Sequence, residues 1–329
     1  MVWLLFLASS IVVVLAAVKL AEYSDVIAVR TRLGGLVVGT IFLAGATSLP
    51  ELVAAISSFR AGVPNLAAGN FLGSNMTNIV LLALVDLFNR QVPLLRSVAV
   101  SHSLTAALAI LLMLTAAISL VLGPTPAIGW VGVDSLLIIA VYFAGIWLMQ
   151  RENQTAAGAP PAMSPASDFP TLRRGLIGFV IAAAVLIAAV PQLVRASTGI
   201  AEITGLGTGF VGTALLSLVT SLPELVAVIA AVRLGSFDLG VGNLLGSNVF
   251  NMLGLAVSDF FLRDGPLLNV IDPGFVLVVL LGILLTTLAL IGNLARVERR
   301  FLFFELDALV IILVYFAGLF LLYQRGIGM

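Results

Sequence analysis

Long apolar runs, each near the length of a bilayer crossing, alternate along this chain with short polar breaks. A helix needs about 20 mostly apolar residues to cross the hydrocarbon core. Ten segments meet that length: 2–22, 36–62, 66–89, 97–122, 127–150, 174–196, 206–234, 239–262, 270–294 and 302–325. The first begins Met1-Val2-Trp3-Leu4 with no basic residue ahead of it. A cleavable signal peptide wants a positive start and a small-residue cleavage site, so this run reads as a retained span. One stretch breaks the rhythm. Residues 151–173, RENQTAAGAPPAMSPASDFPTLR, are polar and rich in Pro and Ala, and read as a linker. The pattern therefore predicts an all-α integral membrane protein of ten transmembrane helices. It has an N-terminal five-helix unit (1–150), a linker (151–173) and a C-terminal five-helix unit (174–329).

The basic residues orient these spans, because cytoplasmic loops retain Lys and Arg. Counted over ten spans, the side that holds the linker carries 12 of them, and the other side carries Arg60, Arg195, Arg263 and Arg325. The linker is thereby predicted to be cytoplasmic. Both termini are predicted to lie outside the cell or in the periplasm, with the chain in the cell (inner) membrane.

The two units are one sequence written twice, displaced by 173 residues. GATSLPELVAAI (45–56) falls on LVTSLPELVAVI (218–229), and AAGNFLGSNMTNIVLL (67–82) on GVGNLLGSNVFNMLGL (240–255). Asp86 falls on Asp259, and DSLLIIAVYFAGIW (134–147) on DALVIILVYFAGLF (307–320). Chance similarity between apolar runs does not keep Pro, Glu, Asn and Asp in register over that distance. Five spans is an odd number, so the second copy enters the membrane the opposite way up. Inverted repeats of this kind place a transport site at the repeat interface near the midplane.

Composition removes most other chemistries. Hydrophobic residues make up 61% and charged residues 10% of the chain, against about 25% charged in soluble domains. The net charge of zero argues against nucleic acid as a partner. There is no cysteine, one histidine (His102) and one lysine (Lys19). Thiolate sites, a two-histidine zinc motif and a Gly-Lys-Ser/Thr phosphate loop are all excluded. No resident cofactor and no enzyme activity are expected. A hydrolase built on a Ser of the GSN motifs would lack a base, and a channel with the same acids would not exchange ions.

The candidate site follows from cost. A carboxylate at the centre of a spanning helix costs about 2.5–3.5 kcal/mol on insertion scales. Glu51 and Glu224 both sit well inside a span, and an intramembrane acid is a functional residue by default. Thr47, Ser48 and Glu51 share one helix face at i, i+1 and i+4, as do Thr220, Ser221 and Glu224. Pro50 and Pro223 each remove a helix hydrogen bond and free a carbonyl, which is tolerated at membrane depth where it lines a cavity. In the second motif Ser74 and Asn78 are four apart, as are Ser247 and Asn251, with Asn75 and Asn248 nearby. Gly69, Gly73, Gly242 and Gly246 form small-xxx-small surfaces for close helix packing. The sum is an all-oxygen site of formal charge −2. Calcium takes 6–8 oxygens at about 2.3–2.6 Å in flexible geometry, whereas magnesium keeps its waters. Sodium could use the same oxygens. One Ca²⁺, two Na⁺ or two H⁺ would neutralise the site, and competition for shared ligands yields antiport.

These paired motifs resemble the two alpha-repeats of the calcium/cation antiporter superfamily, specifically its prokaryotic sodium/calcium exchanger branch. The resemblance covers nearly the whole chain. It implies that spans 2, 3, 7 and 8 form the site while spans 1 and 6 slide between inward- and outward-open states. Carried over by position, Glu51 and Glu224 would be calcium ligands shared with sodium. Thr47, Ser48, Thr220, Ser221, Ser74 and Ser247 would serve flanking sodium sites, and Ala44 and Ser217 would offer backbone carbonyls. Asn78 fits the family pattern. Asn251 departs from it, because many prokaryotic exchangers carry an Asp there. The proton/calcium branch typically places an acid in its GN-containing helices; the matching residues here are Asn, which ranks protons behind sodium as the counter-ion. The linker is too short for the calcium-sensing domain of animal exchangers. Asp134 and Asp307 start spans 5 and 10, where they are expected to cap helices. His102 is expected at an interface rather than in the site. Asp86 and Asp259 are left between helix capping and cation attraction.

Overall fold

The computed structural model describes residues 1–31, 44–88, 100–156, 170–233, 235–295, 300–301 and 304–328. Ten helical segments follow the predicted spans in order. They are α1 (Val2–Thr31), α2 (Leu49–Arg60, preceded by helical residues 44–47), α3 (Pro64–Phe88), α4 (Val100–Leu122) and α5 (Val133–Ala156), then α6 (Leu172–Thr204), α7 (Thr208–Arg233), α8 (Phe237–Ser258), α9 (Phe275–Ala295) and α10 (Leu306–Arg325). Eight of them are long and apolar enough to cross a bilayer; α5 offers a shorter apolar stretch, Val133–Met149. The first part of the predicted second span, 36–43, lies outside the described residues, as do residues 157–169 of the linker.

Two boundaries differ from the sequence pattern for reasons visible in the packing. α1 runs nine residues past the expected end at 22, because its last turns dock on α6. Val26 lies over Gly175 and the Tyr23 ring over Gly178, where no side chain stands in the way. α6 likewise runs on to Thr204 and stops at Gly205, whose positive φ of 71° suits a helix C-cap. At 30 and 33 residues, these helices measure about 45–50 Å, longer than the ~30 Å hydrocarbon layer, so they must tilt or project. They pack along each other through Val13, Ala17, Leu186, Val190 and Leu193. Their outer faces, with Leu4, Leu7, Ile11 and Leu15, stay exposed as a lipid-facing surface.

The second difference is at the start of the predicted fifth and tenth spans. Residues 127–132 are not helical. Ala127–Ile128 (β1) pairs with Val131–Gly132 (β2) in a hairpin that turns at Gly129, φ 69°. Arg300–Phe301 (β3) pairs with Phe304–Glu305 (β4) in the same register, displaced by the same 173 residues. These short hairpins are the only strands among the described residues, and they sit at two symmetric places in an otherwise all-α architecture.

α3 is the central helix. Its side chains are almost all buried, and it touches α2, α7, α8, α9 and α10. The glycines make this possible. A Cβ on Gly73 would fall 2.5 Å from the Thr213 carbonyl oxygen, and one on Gly69 2.5 Å from that of Gly209. On the far side, α4, α8 and α9 close around Leu112, Met113, Leu244 and Val278. The α1–α6 pair lies outside this core, against α2 and α7.

Candidate functional site

Two proline-induced breaks build the site. Pro50 has no N–H for the Ala46 carbonyl, and Pro223 none for that of Val219. The helix yields two residues earlier in each case. Ser48 sits at φ −87°, ψ 7° between residues 44–47 and α2. Ser221 sits at φ −88°, ψ −2° between Ser217–Thr220 and Leu222–Arg233 of α7. Each break leaves a Glu in the first turn of the helix that follows. Ahead of its break α7 also carries a π-helical turn, Gly212–Leu216, a distortion often found at functional positions.

The sequence-predicted residues come together. Ala44, Thr47, Ser48, Glu51, Ser74, Asn78, Ser217, Thr220, Ser221, Glu224, Ser247 and Asn251 are all at most 2% exposed. None of these residues is open to solvent. Glu51 comes from the first repeat and is faced by Thr220, Ser74 and the Glu224 carboxylate. Glu224 comes from the second and is faced by Ser247, Thr47 and Ser48. Each glutamate thus meets a hydroxyl from the other repeat. The contacts are not equal, however. Ser247 Oγ donates to Glu224 Oε1 at 3.4 Å and lies 3.5 Å from Thr47 Oγ1. Neither carboxyl oxygen of Glu51 has a hydrogen bond.

α3 and α8 cross through their asparagines. Asn78 Nδ2 donates to Asn248 Oδ1 at 3.0 Å, and Asn248 Nδ2 donates to the Asn75 carbonyl at 3.2 Å. With its amide N–H group so engaged, Asn78 keeps an unpartnered Oδ1. Both polar atoms of Asn251 are unpartnered as well. Ala44 and Ser217 each present a carbonyl that already accepts twice. The Ala44 oxygen takes Ser48 N and Thr47 Oγ1, and the Ser217 oxygen takes Ser221 N and shares the single Thr220 Oγ1 hydrogen with Asn70.

One side chain outside the predicted set, Asn70, also reaches the site. Asn70 accepts a hydrogen bond from Thr220 Oγ1 at 3.0 Å. Its repeat counterpart Asn243 is buried with both polar atoms unpartnered. The signal was present: Asn70, Ser74 and Asn78 form a polar stripe at i, i+4 and i+8, repeated by Asn243, Ser247 and Asn251.

The donor set fits a hard cation. The oxygens of Ser48, Glu51, Ser74, Asn78, Ser221, Glu224 and Asn251 include buried atoms without a protein partner. Buried polar groups are normally satisfied, and orphaned ones mark a missing ion or water. Among the described residues, no Lys, Arg or His pairs with either glutamate. Nor do three or more His, Cys, Asp or Glu side chains gather anywhere among them, so a soft-metal cage is not the design. Two acids supplemented by neutral oxygens suit a small cation that must also leave.

The residues outside the site have structural work. Asp134 Oδ1 accepts from Ser135 N at 2.8 Å and Asp307 Oδ1 from Ala308 N at 3.0 Å, both in the first turn of their helices, as expected. Asp259 accepts from Gly132 N and Leu267 N, tying β2 to the turn Leu267–Val270. His102 lies apart from the glutamates, with its ring against Gly242 and Nε2 3.6 Å from Asp238.

The model of the sodium/calcium exchanger protein family matches residues 1–150 and 174–324. The chain belongs to that family. Its members are membrane cation/calcium antiporters, and this exchanger-family chain is a multi-pass membrane protein of the calcium/cation antiporter superfamily. It is 25% identical over 285 residues to CaxA of Alkalimonas amylolytica, covering 83% of this chain and 85% of the relative. Its fold is shared with two solved exchangers. One is a H⁺/Ca²⁺ exchanger, CAX (TM-score 0.65, 15% identity, 98% of this chain and 88% of that one). The other is a sodium-calcium exchanger, NCX_Mj (TM-score 0.62, 20% identity, 97% and 98%).

Proposed function

We propose that this family member exchanges Ca²⁺ for Na⁺ by alternating access, with both ions competing for the oxygens around Glu51 and Glu224. The observation that carries the reading is the buried carboxylate pair, one from each inverted repeat, with no basic partner among the described residues. Like charges in a low-dielectric interior repel strongly and cannot persist without counter-charge. One Ca²⁺ supplies it, as do two Na⁺. Glu51, Glu224, Asn78 and Asn251 would form the central ligands. Thr47, Ser48, Ser74, Thr220, Ser221 and Ser247 would serve the flanking positions, where hydroxyls suit a monovalent ion. The Ala44 and Ser217 carbonyls would join by exchanging their threonine hydrogen bond for the ion. The distribution of Lys and Arg supports a cytoplasmic linker, with both termini outside the cell.

The test is calcium uptake into proteoliposomes under imposed Na⁺, K⁺ or H⁺ gradients. An outward Na⁺ gradient is expected to drive uptake; uptake indifferent to every opposing gradient would end the antiport reading. Replacing Asn251 with Asp restores a third acid. It is expected to steepen or shift the counter-cation dependence, and an unchanged dependence would remove this position from the control of stoichiometry.

A further inference from the structure

The two half-sites differ at a pair of hydroxyls. Ser217 lies one turn before Thr220, whose Oγ1 bonds the Ser217 carbonyl and faces Glu51, and Thr77 meets the Ser217 hydroxyl from α3. Their counterparts across the 173-residue displacement are Ala44 and Phe250, which have none. The Phe250 ring instead rests on Gly45, 3.2 Å from where a Cβ would stand. The counterpart of Tyr315 is Tyr142, whose hydroxyl makes no hydrogen bond among the described residues.

The direction of each bond follows from counting hydrogens. In the π turn, Ser217 N–H reaches back five residues to the Gly212 carbonyl. An ordinary helix would have given it Thr213. The Ser217 hydroxyl takes the Thr213 carbonyl in its place. A carbonyl only accepts, so the single Ser217 hydrogen is spent. Thr77 Oγ1, 3.2 Å from Ser217 Oγ, must then be the donor to it. The Thr77 hydrogen is now spent too, so Tyr315 OH, 3.5 Å away, donates to Thr77. The relay runs Tyr315 → Thr77 → Ser217 → Thr213, across α10, α3 and α7. All four residues are buried, none more than 6% exposed.

A free hydroxyl can turn its hydrogen toward an arriving cation. Ser217 cannot, because its hydrogen is held on Thr213 while a lone pair remains. We propose that Tyr315 and Thr77 are positioning residues that fix Ser217 as a cation-accepting hydroxyl, so that the half-site beside Glu51 holds a hard monovalent counter-cation better than its repeat counterpart. This rests on the antiport reading above. The ligand is prepared before the ion arrives, which lowers the ordering cost of binding it.

The experiment measures half-saturation for the driving monovalent cation and for Ca²⁺ in proteoliposomes, in wild type and in Tyr315→Phe, Thr77→Val, Thr77→Ser and Tyr142→Phe. Thr77→Val is expected to raise the monovalent half-saturation about five- to twenty-fold, the scale of one lost hydrogen bond in a buried site, with Ca²⁺ half-saturation within about twofold. Tyr315→Phe should do the same more weakly, because it leaves the Thr77–Ser217 bond. Thr77→Ser keeps the donor and should restore the wild-type value, and Tyr142→Phe should change neither. A merely structural role would move both half-saturations together, or make Thr77→Ser as poor as Thr77→Val; either result overturns the proposal. The wild-type arm separates the two readings. Exchange driven by another ligated cation ends the sodium assignment alone, and the variants are then read with that cation. Sodium-driven exchange with unshifted variants ends the relay alone. Exchange driven only by protons ends both.

Discussion

Around Ser48 (φ −87°, ψ 7°) and around Ser221 (φ −88°, ψ −2°) the chain breaks in the same way. Around the glutamates that follow, the same motif meets different surroundings. Glu224 receives Ser247 Oγ, while the equivalent Ser74 makes no bond to Glu51. Thr220 turns to Asn70, while the equivalent Thr47 lies by Ser247. Backbone geometry set by Pro is local and therefore repeats; side-chain pairing depends on how the two repeats meet and does not. The structure thus holds one glutamate partly satisfied and the other bare.

The largest effect comes from testing whether that inequality matters for transport. Glu51→Gln and Glu224→Gln each remove one charge from a site that needs two for Ca²⁺. Both are expected to reduce calcium exchange by more than about a hundredfold, since the lost term is a buried charge pairing of several kcal/mol. The folded fraction by size-exclusion and thermal unfolding should stay near wild type. If one variant exchanges normally, the two carboxylates are not halves of one site. If both do, neither carries the mechanism.

A second comparison concerns packing. Gly73 is the second glycine of the motif in one repeat and Gly242 the first in the other, and a Cβ would meet backbone at Gly73 and a ring at Gly242. At Gly73 it would fall 2.6 Å from Thr213 Cα, so α3 and α7 must separate. At Gly242 it would fall 2.7 Å from His102 Cε1, which can rotate away. Gly73→Ala is expected to cost about 2–3 kcal/mol and Gly242→Ala under about 1 kcal/mol. Thermal unfolding in detergent reads the difference. Equal costs would mean that α3 is not packed against the π turn of α7 as the structure has it.

Much of this was legible in the sequence, and the remainder has a physical reason. The register of TSLPE and GN-LGSN over 173 residues places Glu51, Glu224 and the Ser–Asn stripes because Pro breaks and i, i+4 spacing are local properties. Asn70 was in the motif, but its use depends on Thr220 from another helix. Thr77 and Tyr315 carry no functional signal of their own; a Thr between Met76 and Asn78 and a Tyr in VYFAG acquire meaning only where three helices cross. α1 runs past its apolar window because Gly175 and Gly178 admit Val26 and Tyr23, and α6 continues until the C-cap glycine Gly205 ends it. The hairpin at residues 127–132 is hidden in the sequence because a short apolar run carries no period that separates helix from strand.

Next in size are the prolines. Pro50→Ala and Pro223→Ala each return an N–H that can reach the carbonyl four residues back. Each is expected to straighten its helix and slow exchange about tenfold, in keeping with one recovered hydrogen bond competing with the broken geometry. The π turn gives α7 a second irregularity ahead of its break. Pro223→Ala should therefore be the milder of the two. Uptake rates at saturating calcium compare them, and a larger loss at Pro223 would assign the needed bend to the proline break alone.

The smallest effect lies at the membrane edge, where the repeats again share a motif but not its partners. Asp134 holds two donors, Ser135 N at 2.8 Å and Thr125 Oγ1 at 3.0 Å. Asp307 holds one among the described residues, Ala308 N at 3.0 Å. Both carboxylates also face the positive end of a helix. Asp134→Ala is expected to lower stability by about 1–2 kcal/mol and Asp307→Ala by about 0.5–1 kcal/mol, the range for a cap with and without a second bond. Neither should alter the calcium half-saturation, because neither carboxylate belongs to the glutamate site. A shift in calcium half-saturation with unchanged stability would move these acids from helix capping to the ion path, and would make the two ends of the repeat part of the transport machinery.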